Sequence, residues 1–275
     1  MLVLNGQQLN LVTFPNGETK LDGHQIKELA KEENVITMRF ESDADFIHLL
    51  FLKNHLDDIL RVKSTKLILP YIPYSRMDRT EGTGVFTLKS VAKLINSLDF
   101  KSVEVFEAHS EVSLALIDRV QAHMMTSIGM IDNVKEAIGF DESKDFIFYP
   151  DAGAEKRYQS STKGKHLFGI KHRDFETGQI KSLEIAGQVT DKDVFDKVLI
   201  VDDLSSYGGT FHFGAQALKE KFGFKEIYLV VGHAENNIVK GKIPTEGLIQ
   251  KVFTTDSIYT EDNDIVQVYP YFFPE

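Results

Sequence analysis

Cysteine is absent from the chain, which excludes disulfide bonds, thiolate nucleophiles and zinc sites built on thiolates. Also absent is an apolar stretch of the roughly 18 residues that a membrane-spanning helix needs, and the polar, strand-like beginning is not typical of a signal peptide. Positive charge is in deficit, and the net charge of −10 argues against nucleic acid and anionic membranes as partners. We therefore expect a cytoplasmic protein that binds no membrane and no nucleic acid.

What is present is an ordinary globular composition in 275 residues, enough for two domains or one large domain. No low-complexity linker divides the chain. Both halves read as strand, helix, strand, and candidate site residues follow the strands. This organisation predicts an α/β protein.

Residues 198–211 carry the strongest local signal. Val198 to Val201 form a run of branched apolar residues, which is typical of a strand buried in a parallel sheet. Asp202 and Asp203 follow, then a glycine loop and an apolar pattern at helical spacing. Glycines and a helix N-terminus favour an anion, whereas paired carboxylates suit hydroxyl donors or Mg²⁺. The stretch therefore predicts a site for a phosphorylated sugar at the carboxyl end of a strand.

The same stretch resembles the phosphoribosyl-binding motif of type I phosphoribosyltransferases and of ribose-phosphate pyrophosphokinases. The alternative is an unrelated strand, loop and helix with an acidic end, because Gly-Gly turns are common. The resemblance implies that Asp202 and Asp203 hold ribose hydroxyls. It also implies that the 5-phosphate is bound by the phosphate loop, which comprises Ser205, Ser206, Tyr207, Gly208, Gly209 and Thr210.

The phosphate loop departs from the family pattern, which has Asp-Thr where this chain has Ser206-Tyr207. The change removes a negative charge and a hydroxyl near the 5-phosphate and adds an aromatic face. We therefore hypothesise two acceptors. One is ribose 5-phosphate, and the other is a ribose phosphate with a larger 5-substituent, such as ADP-ribose, packed near Tyr207.

A segment near the start resembles pyrophosphokinases specifically. Phe14, Asn16 and Glu18 match a family segment that holds the adenine of ATP from a neighbouring subunit, although Pro15 replaces the family serine. An aromatic face and two hydrogen-bonding side chains suit a purine base. The alternative is a plain surface hairpin.

A Pro-broken segment after the next strand carries two arginines three residues apart. A helix face does not explain that spacing, and guanidinium groups bind polyphosphate oxygens bidentately. The segment resembles the pyrophosphokinase ATP-binding loop at Arg76, Asp78 and Arg79, while Met77 replaces the family glutamine. A surface loop with ion pairs is the alternative.

The resemblance assigns four further residues. His109 matches a family histidine that ligates Mg²⁺ near the ATP phosphates, and Asp151 matches an aspartate that coordinates Mg²⁺ or holds the ribose. Asp151 also suits the N-cap of the helix that follows. Lys171 and Arg173 match a Lys-x-Arg pair that stabilises the transferring group, at the base of a flap expected at residues 175–182.

Pyrophosphokinases consist of two tandem domains of the type I phosphoribosyltransferase fold, with mainly parallel sheets flanked by helices. The resemblance implies the same architecture here, with an ATP-side domain at residues 1–135 and a ribose-phosphate-side domain at residues 136–275. It also implies self-association into dimers or larger assemblies. We expect the terminal helix of the family to be missing, because the chain stops shortly after Tyr269.

The reaction implied is Mg²⁺-dependent transfer of the β,γ-diphosphoryl group of ATP to the 1-hydroxyl of ribose 5-phosphate, with release of AMP. Cationic side chains suit this chemistry, since it depends on charge neutralisation and positioning. Two alternatives belong to other classes. One is a phosphoribosyltransferase that works without ATP, and the other is a non-catalytic nucleotide-binding regulator.

Overall fold

The computed structural model describes residues 1–80, 82–125, 129–173, 180–190 and 193–273, with backbone alone at 171–173 and 180–182. The chain forms two compact units that divide between Met124 and Met125. The domain boundary predicted at 135/136 stays a prediction, and helix Met130–Ala137 lies within the second unit.

The first unit has a six-stranded sheet in the order β2-β1-β5-β6-β7-β8 and a separate hairpin of β3 and β4. Strands β5 to β8 are parallel, whereas β1 pairs antiparallel with both β2 and β5. The strands are β1 (Leu2–Leu4), β2 (Gln7–Gln8), β3 (Leu11–Thr13), β4 (Thr19–Leu21), β5 (Glu33–Met38), β6 (Ser64–Leu69), β7 (Val103–Phe106) and β8 (Val120–His123).

Helices alternate with these parallel strands, so their carboxyl ends meet at one edge of the sheet. The helices of the first unit are α1 (Gly23–Leu29), α2 (Ala44–Asn54), α3 (Thr87–Ser97) and α4 (Glu111–Leu116). A π-helical turn, His55–Ile59, extends α2. Strand residues such as Ile36 and Leu67 pack with Leu49 of α2 and Leu88 of α3 in one buried core. Burial of this apolar face supplies the main stabilisation of the unit.

The second unit has a seven-stranded sheet in the order β11-β10-β9-β12-β13-β14-β15, parallel throughout except for β11 at one edge. The strands are β9 (Phe146–Tyr149), β10 (Lys165–Arg173), β11 (Ile180–Gly187), β12 (Lys197–Ser205), β13 (Glu226–Ala234), β14 (Lys251–Thr255) and β15 (Val266–Tyr269). The helices are α5 (Met130–Ala137), α6 (Ala152–Tyr158), α7 (Gly209–Phe222) and α8 (Ile243–Glu246).

The buried strand predicted from Val198 is present as β12, but its length needs correction. Strand β12 was expected to end at Val201 and instead runs to Ser205, because its backbone pairs with β13 as far as Ala234.

No helix in the described part of the chain is both long and apolar enough to cross a membrane. The predicted flap falls largely on residues 174–179, which lie outside the described residues, and residues 180–182 belong to β11.

Candidate active site

The cationic segment of the first unit lies at the carboxyl edge of its sheet. Arg76 and Arg79 follow β6, His109 follows the neighbouring strand β7, and all three line one open cleft of about 580 Å³. Its other lining residues are Ser75, Met77, Asp78, Gly84, Val85 and Thr87. Residues predicted from separate motifs therefore meet at one site, since parallel strands bring their carboxyl ends together.

Asp78 connects the two loops of this cleft. Arg79 Nε donates to Asp78 Oδ1 at 2.7 Å, and the hydroxyl of Ser110 donates to Asp78 Oδ2 at 2.6 Å. The Arg79 guanidinium, followed by the Ser110 hydroxyl, holds the pKa of Asp78 below its usual range. Ser110 also caps α4 by accepting from the Val112 amide. Asp78 thus ties the arginine loop after β6 to the histidine loop after β7.

Met77 has its backbone fixed on both sides. Its amide donates to the Tyr74 carbonyl at 2.9 Å, and its own carbonyl accepts from the Leu88 amide at 3.3 Å. The sulfur accepts from the Thr87 hydroxyl at 3.4 Å, yet the side chain remains 44% exposed at the cleft. The residue that replaces the family glutamine therefore faces the cleft with a thioether, which is only a weak acceptor.

The hairpin segment around Phe14 has a defined conformation. Asn16 Nδ2 donates to Glu18 Oε2 at 2.9 Å, and the Glu18 amide donates to Asn16 Oδ1 at 3.1 Å. Phe14 is 45% exposed at the end of β3. The turn therefore presents one aromatic ring to solvent beside two polar side chains that bond each other.

In the second unit, the predicted acidic residues lie at adjacent strand ends. Asp151 follows β9, and Asp202 and Asp203 lie near the end of β12, which pairs with β9 in parallel. Asp151 caps α6 by accepting from the amides of Gly153 and Ala154 at 3.0 and 3.1 Å. The predicted N-cap is therefore present.

The two aspartates of β12 differ in their surroundings. Asp203 is buried and ion-paired with Arg157 of α6, whereas Asp202 Oδ1 accepts from the Asp203 amide at 2.9 Å. Burial, followed by the charges of Asp203 and Asp151, raises the pKa of Asp202 well above its usual value. Arg157 pairs with Asp203 and not with Asp202. The charge of Asp202 is therefore the one that a bound cation or hydroxyl group would stabilise.

The phosphate loop forms a tight turn into α7. Gly208 has a φ of 75°, which favours glycine, and a Cβ there would lie 2.4 Å from Ile243 Cδ1. Gly241 passes so close that a Cβ on it would lie 2.0 Å from the Tyr207 carbonyl oxygen. Gly209 has nothing within 4 Å of the corresponding position. The loop is therefore packed from behind by residues 238–243 and open at Gly209.

Ser206 and Tyr207, the two departures from the family pattern, have different surroundings. The Ser206 hydroxyl donates to Glu235 Oε2 at 2.6 Å, and the Glu235 amide donates to the Ser205 carbonyl at 2.8 Å. Tyr207 is 56% exposed. The loop is nevertheless not without a carboxylate, because Glu235 lies against Ser206. The added aromatic face is present.

Lys171 and Arg173 lie on β10, where their backbones pair with Leu183 and Ile180 of β11. The strand shows an irregularity between His172 and Arg173. Their predicted roles remain predictions, as do those of the other site residues.

No group of three or more His, Asp or Glu side chains that could hold a metal ion occurs within the described ranges. Mg²⁺ commonly takes one or two protein ligands and completes its shell with substrate phosphates and water. His109 offers an imidazole in the first unit and Asp151 a carboxylate in the second, and each is a donor that fits an ion arriving with a phosphate substrate.

Sequence reasoning missed three residues. They are Arg157, Ser110 and Glu235, the last of which lies 29 positions from Ser206. Only Arg157 carried a local signal, because it follows Asp151 by six residues, less than two turns, in α6. Glu235 and Ser110 act through pairings that only the folded sheets create.

Comparison with known proteins finds relatives that share one enzyme name. No protein-family model matches the chain. The chain is 29% identical over 242 residues to a ribose-phosphate pyrophosphokinase of Pyrococcus abyssi, covering 87% of this chain and 78% of the relative. It is 27% identical to one of Sulfolobus acidocaldarius, covering 93% and 86% of the two chains.

A crystal structure of phosphoribosylpyrophosphate synthetase from Mycobacterium smegmatis superposes with a TM-score of 0.73 at 18% identity, over 95% of this chain and 85% of that one. The fold class predicted from the sequence is thereby confirmed. The predicted enzyme class, a pyrophosphokinase-type diphosphotransferase, is confirmed by the curated relatives. The chain is therefore a divergent relative of the ribose-phosphate pyrophosphokinases.

Proposed function

We propose that the protein transfers the β,γ-diphosphoryl group of ATP to the 1-hydroxyl of ribose 5-phosphate. The observation that carries the proposal is the cleft of the first unit, where two arginines and a histidine from different strand ends meet. A phosphoribosyltransferase that works without ATP does not need this cleft. The curated relatives are named ribose-phosphate pyrophosphokinases, which further supports the proposal.

The binding steps follow from the charges of each unit. Arg76 and Arg79 bind the ATP phosphates, and Asp78 keeps Arg79 oriented through its hydrogen bonds. The ring of Phe14 stacks on the adenine, while Asn16 and Glu18 bond its edge. This last contact comes from a second copy of the chain if the protein self-associates as its relatives' motif implies.

The acceptor binds at the second unit. Asp202 and Asp203 accept hydrogen bonds from the ribose hydroxyls, and the backbone amides of the phosphate loop bind the 5-phosphate. The hydroxyl of Thr210 completes this set. The Ser206 hydroxyl donates its single proton to Glu235 and would have to turn from that carboxylate to donate to the phosphate.

In the chemical step, the 1-hydroxyl oxygen of the ribose bonds to the β-phosphorus. The bond from that phosphorus to the oxygen bridging the α-phosphate breaks, AMP leaves, and the hydroxyl proton passes to solvent. Lys171 and Arg173 neutralise the charge of the migrating group. His109 and Asp151 would each serve as a ligand for Mg²⁺ brought by the phosphates, and such an ion would supply further charge neutralisation.

A larger acceptor such as ADP-ribose is the second candidate, and the exposure of Tyr207 beside the phosphate loop favours it. The charge argument no longer supports it, because Glu235 replaces the missing carboxylate. Ribose 5-phosphate is therefore the better-supported acceptor.

The test measures AMP release from ATP with each acceptor, using the unaltered protein and Lys171→Ala. We expect AMP with ribose 5-phosphate, Mg²⁺ dependence, and a loss of about 100-fold or more in the variant. AMP release at an undiminished rate in Lys171→Ala would refute the catalytic assignment. Activity on phosphoribosyl diphosphate without ATP would replace the proposal with a phosphoribosyltransferase.

A further inference from the structure

We call the cleft lined by Arg76, Arg79 and His109 the ATP cleft. A second cationic cleft lies in the first unit, at the opposite edge of the sheet. It has a volume of about 480 Å³ and lies between the turns that precede β5 and β6. We define the basic cleft by its lining residues, which are Lys27, Ala30, Lys31, Glu32, Leu60, Arg61, Val62 and Lys63. Four of the eight are cationic in a chain whose net charge is −10.

The charge in the basic cleft is only partly neutralised by the protein. None of the four cations forms an ion pair within the described ranges, and nearby Glu33 is paired with Lys101 at 2.7 Å, although its charge also acts on Lys63. The carboxyl ends of α1 and of the π-helical turn each contribute roughly half a negative charge, and Glu32 contributes one. An excess of about one to two positive charges remains, so the cleft attracts an anion.

The backbone of the basic cleft is built rigidly. Buried Asn34 accepts from the Lys31 amide at 2.9 Å and donates to the Lys31 carbonyl at 2.8 Å. The Glu32 carbonyl accepts from the Lys63 and Ser64 amides at 2.8 and 3.1 Å, which ties the two turns together. The cations are therefore presented from a fixed frame.

Arg61 supplies an independent observation. Its φ is 53°, in the left-handed region where glycine is the usual residue after a helix, and the Val62 amide closes the helix end on the Leu56 carbonyl at 3.1 Å. An arginine there costs stability that a glycine would not. Despite this cost, the chain keeps a cationic side chain at a position that lines the cleft.

We propose that the basic cleft binds a small anion carrying a di- or triphosphate group. Lysine and arginine bind phosphate oxygens, and the partly buried Ala30, Leu60 and Val62 offer an apolar floor for an attached organic group. Because the cleft lies at the amino edge of the parallel strands, its ligand does not compete with ATP at the carboxyl edge.

The test is calorimetric titration of the full chain with inorganic tripolyphosphate, with pyrophosphate and with ADP. We expect the tripolyphosphate affinity to fall at least about tenfold in Lys31→Gln/Lys63→Gln. The control Lys93→Gln/Lys144→Gln removes two exposed lysines elsewhere and should leave it unchanged. The variant Arg76→Ala/Arg79→Ala, which disables the ATP cleft, should retain the tripolyphosphate affinity of the unaltered protein. Tighter binding of ADP than of pyrophosphate at the basic cleft would identify a nucleotide as the source of the phosphates.

Arg61→Gly separates ligand binding from a purely structural role. Because glycine suits the observed φ, this variant should keep or raise the melting temperature while the tripolyphosphate affinity falls. Binding that is unaffected by the cleft variants, or that disappears in Arg76→Ala/Arg79→Ala, would overturn the proposal. The titration requires no turnover, so its failure is distinct from failure of the proposed reaction.

Discussion

The hydroxyl of Ser206 donates to Glu235 Oε2 at 2.6 Å, which places a carboxylate from the end of β13 against the phosphate loop. The related enzymes are expected to carry an aspartate where this chain has Ser206. Here the charge comes from a neighbouring strand instead. The loop therefore has a carboxylate beside it, contributed by Glu235.

This relationship predicts that a second substitution, Glu235→Gln, reverses the effects of Ser206→Asp on the melting temperature and on the KM. Ser206→Asp alone places two carboxylates in contact, so we expect a lower melting temperature and a raised KM for ribose 5-phosphate. Adding Glu235→Gln removes the repulsion and should restore both quantities. Thermal unfolding and acceptor kinetics of the two single variants and the double variant measure the coupling. Additive effects would show that the two side chains do not interact.

The substitution Asp202→Asn tests the aspartate of β12 whose pKa is raised. The raised pKa means that folded Asp202 binds a proton more readily than the unfolded chain does, so its contribution to stability is lost as the pH rises through its raised pKa. The amide variant removes this loss. We expect a higher melting temperature at neutral pH, a smaller loss of stability as the pH rises above about 4, and impaired acceptor binding.

Asp203→Asn is the matched comparison for that variant. Asp203 is paired with Arg157, so its replacement leaves a partly buried guanidinium without its carboxylate. The melting temperature should therefore fall. Equal effects of the two substitutions would contradict the different environments of the two acids.

Two glycines of the acceptor site should respond in opposite ways to alanine. At Gly241 a Cβ would lie 2.0 Å from the Tyr207 carbonyl oxygen, and we expect a loss of about 1 to 3 kcal/mol in the free energy of unfolding. Gly209→Ala meets no neighbour, so stability should be unchanged or higher. Its methyl group would occupy the open side of the loop, and the KM for the phosphorylated acceptor should rise. Loss of stability in Gly209→Ala would show that the loop is closed there.

Met77→Gln restores the residue expected in the family. The side chain faces the cleft, where an amide offers both a donor and acceptors to the ATP phosphates or ribose. We expect the KM for ATP to fall several-fold, with little change in stability because the residue is exposed. Met77→Leu keeps the apolar character and should leave the KM unchanged. An equal effect of both substitutions would exclude a polar contact at this position.

The sequence predicted most strands and the acidic and cationic motifs because each has a local signature. Val198 to Val201 form an apolar run, and Arg76 and Arg79 lie in a segment broken by proline. The pairing of Ser206 with Glu235 and of Asp78 with Ser110 had no such signature, since it depends on which strands are neighbours. The length of β12 was missed for a similar reason: its last residues, Asp202 to Ser205, are polar or mixed, and only the ladder with β13 holds them in the strand.

The fate of a labelled β-phosphate tests the proposed reaction most directly. The protein is incubated with ATP labelled at the β-phosphorus, ribose 5-phosphate and Mg²⁺, and the products are separated. The proposed transfer predicts that the label appears in the sugar product and that the AMP is unlabelled. Label recovered in ADP, or ATP left unconsumed while phosphoribosyl diphosphate is used, would contradict it.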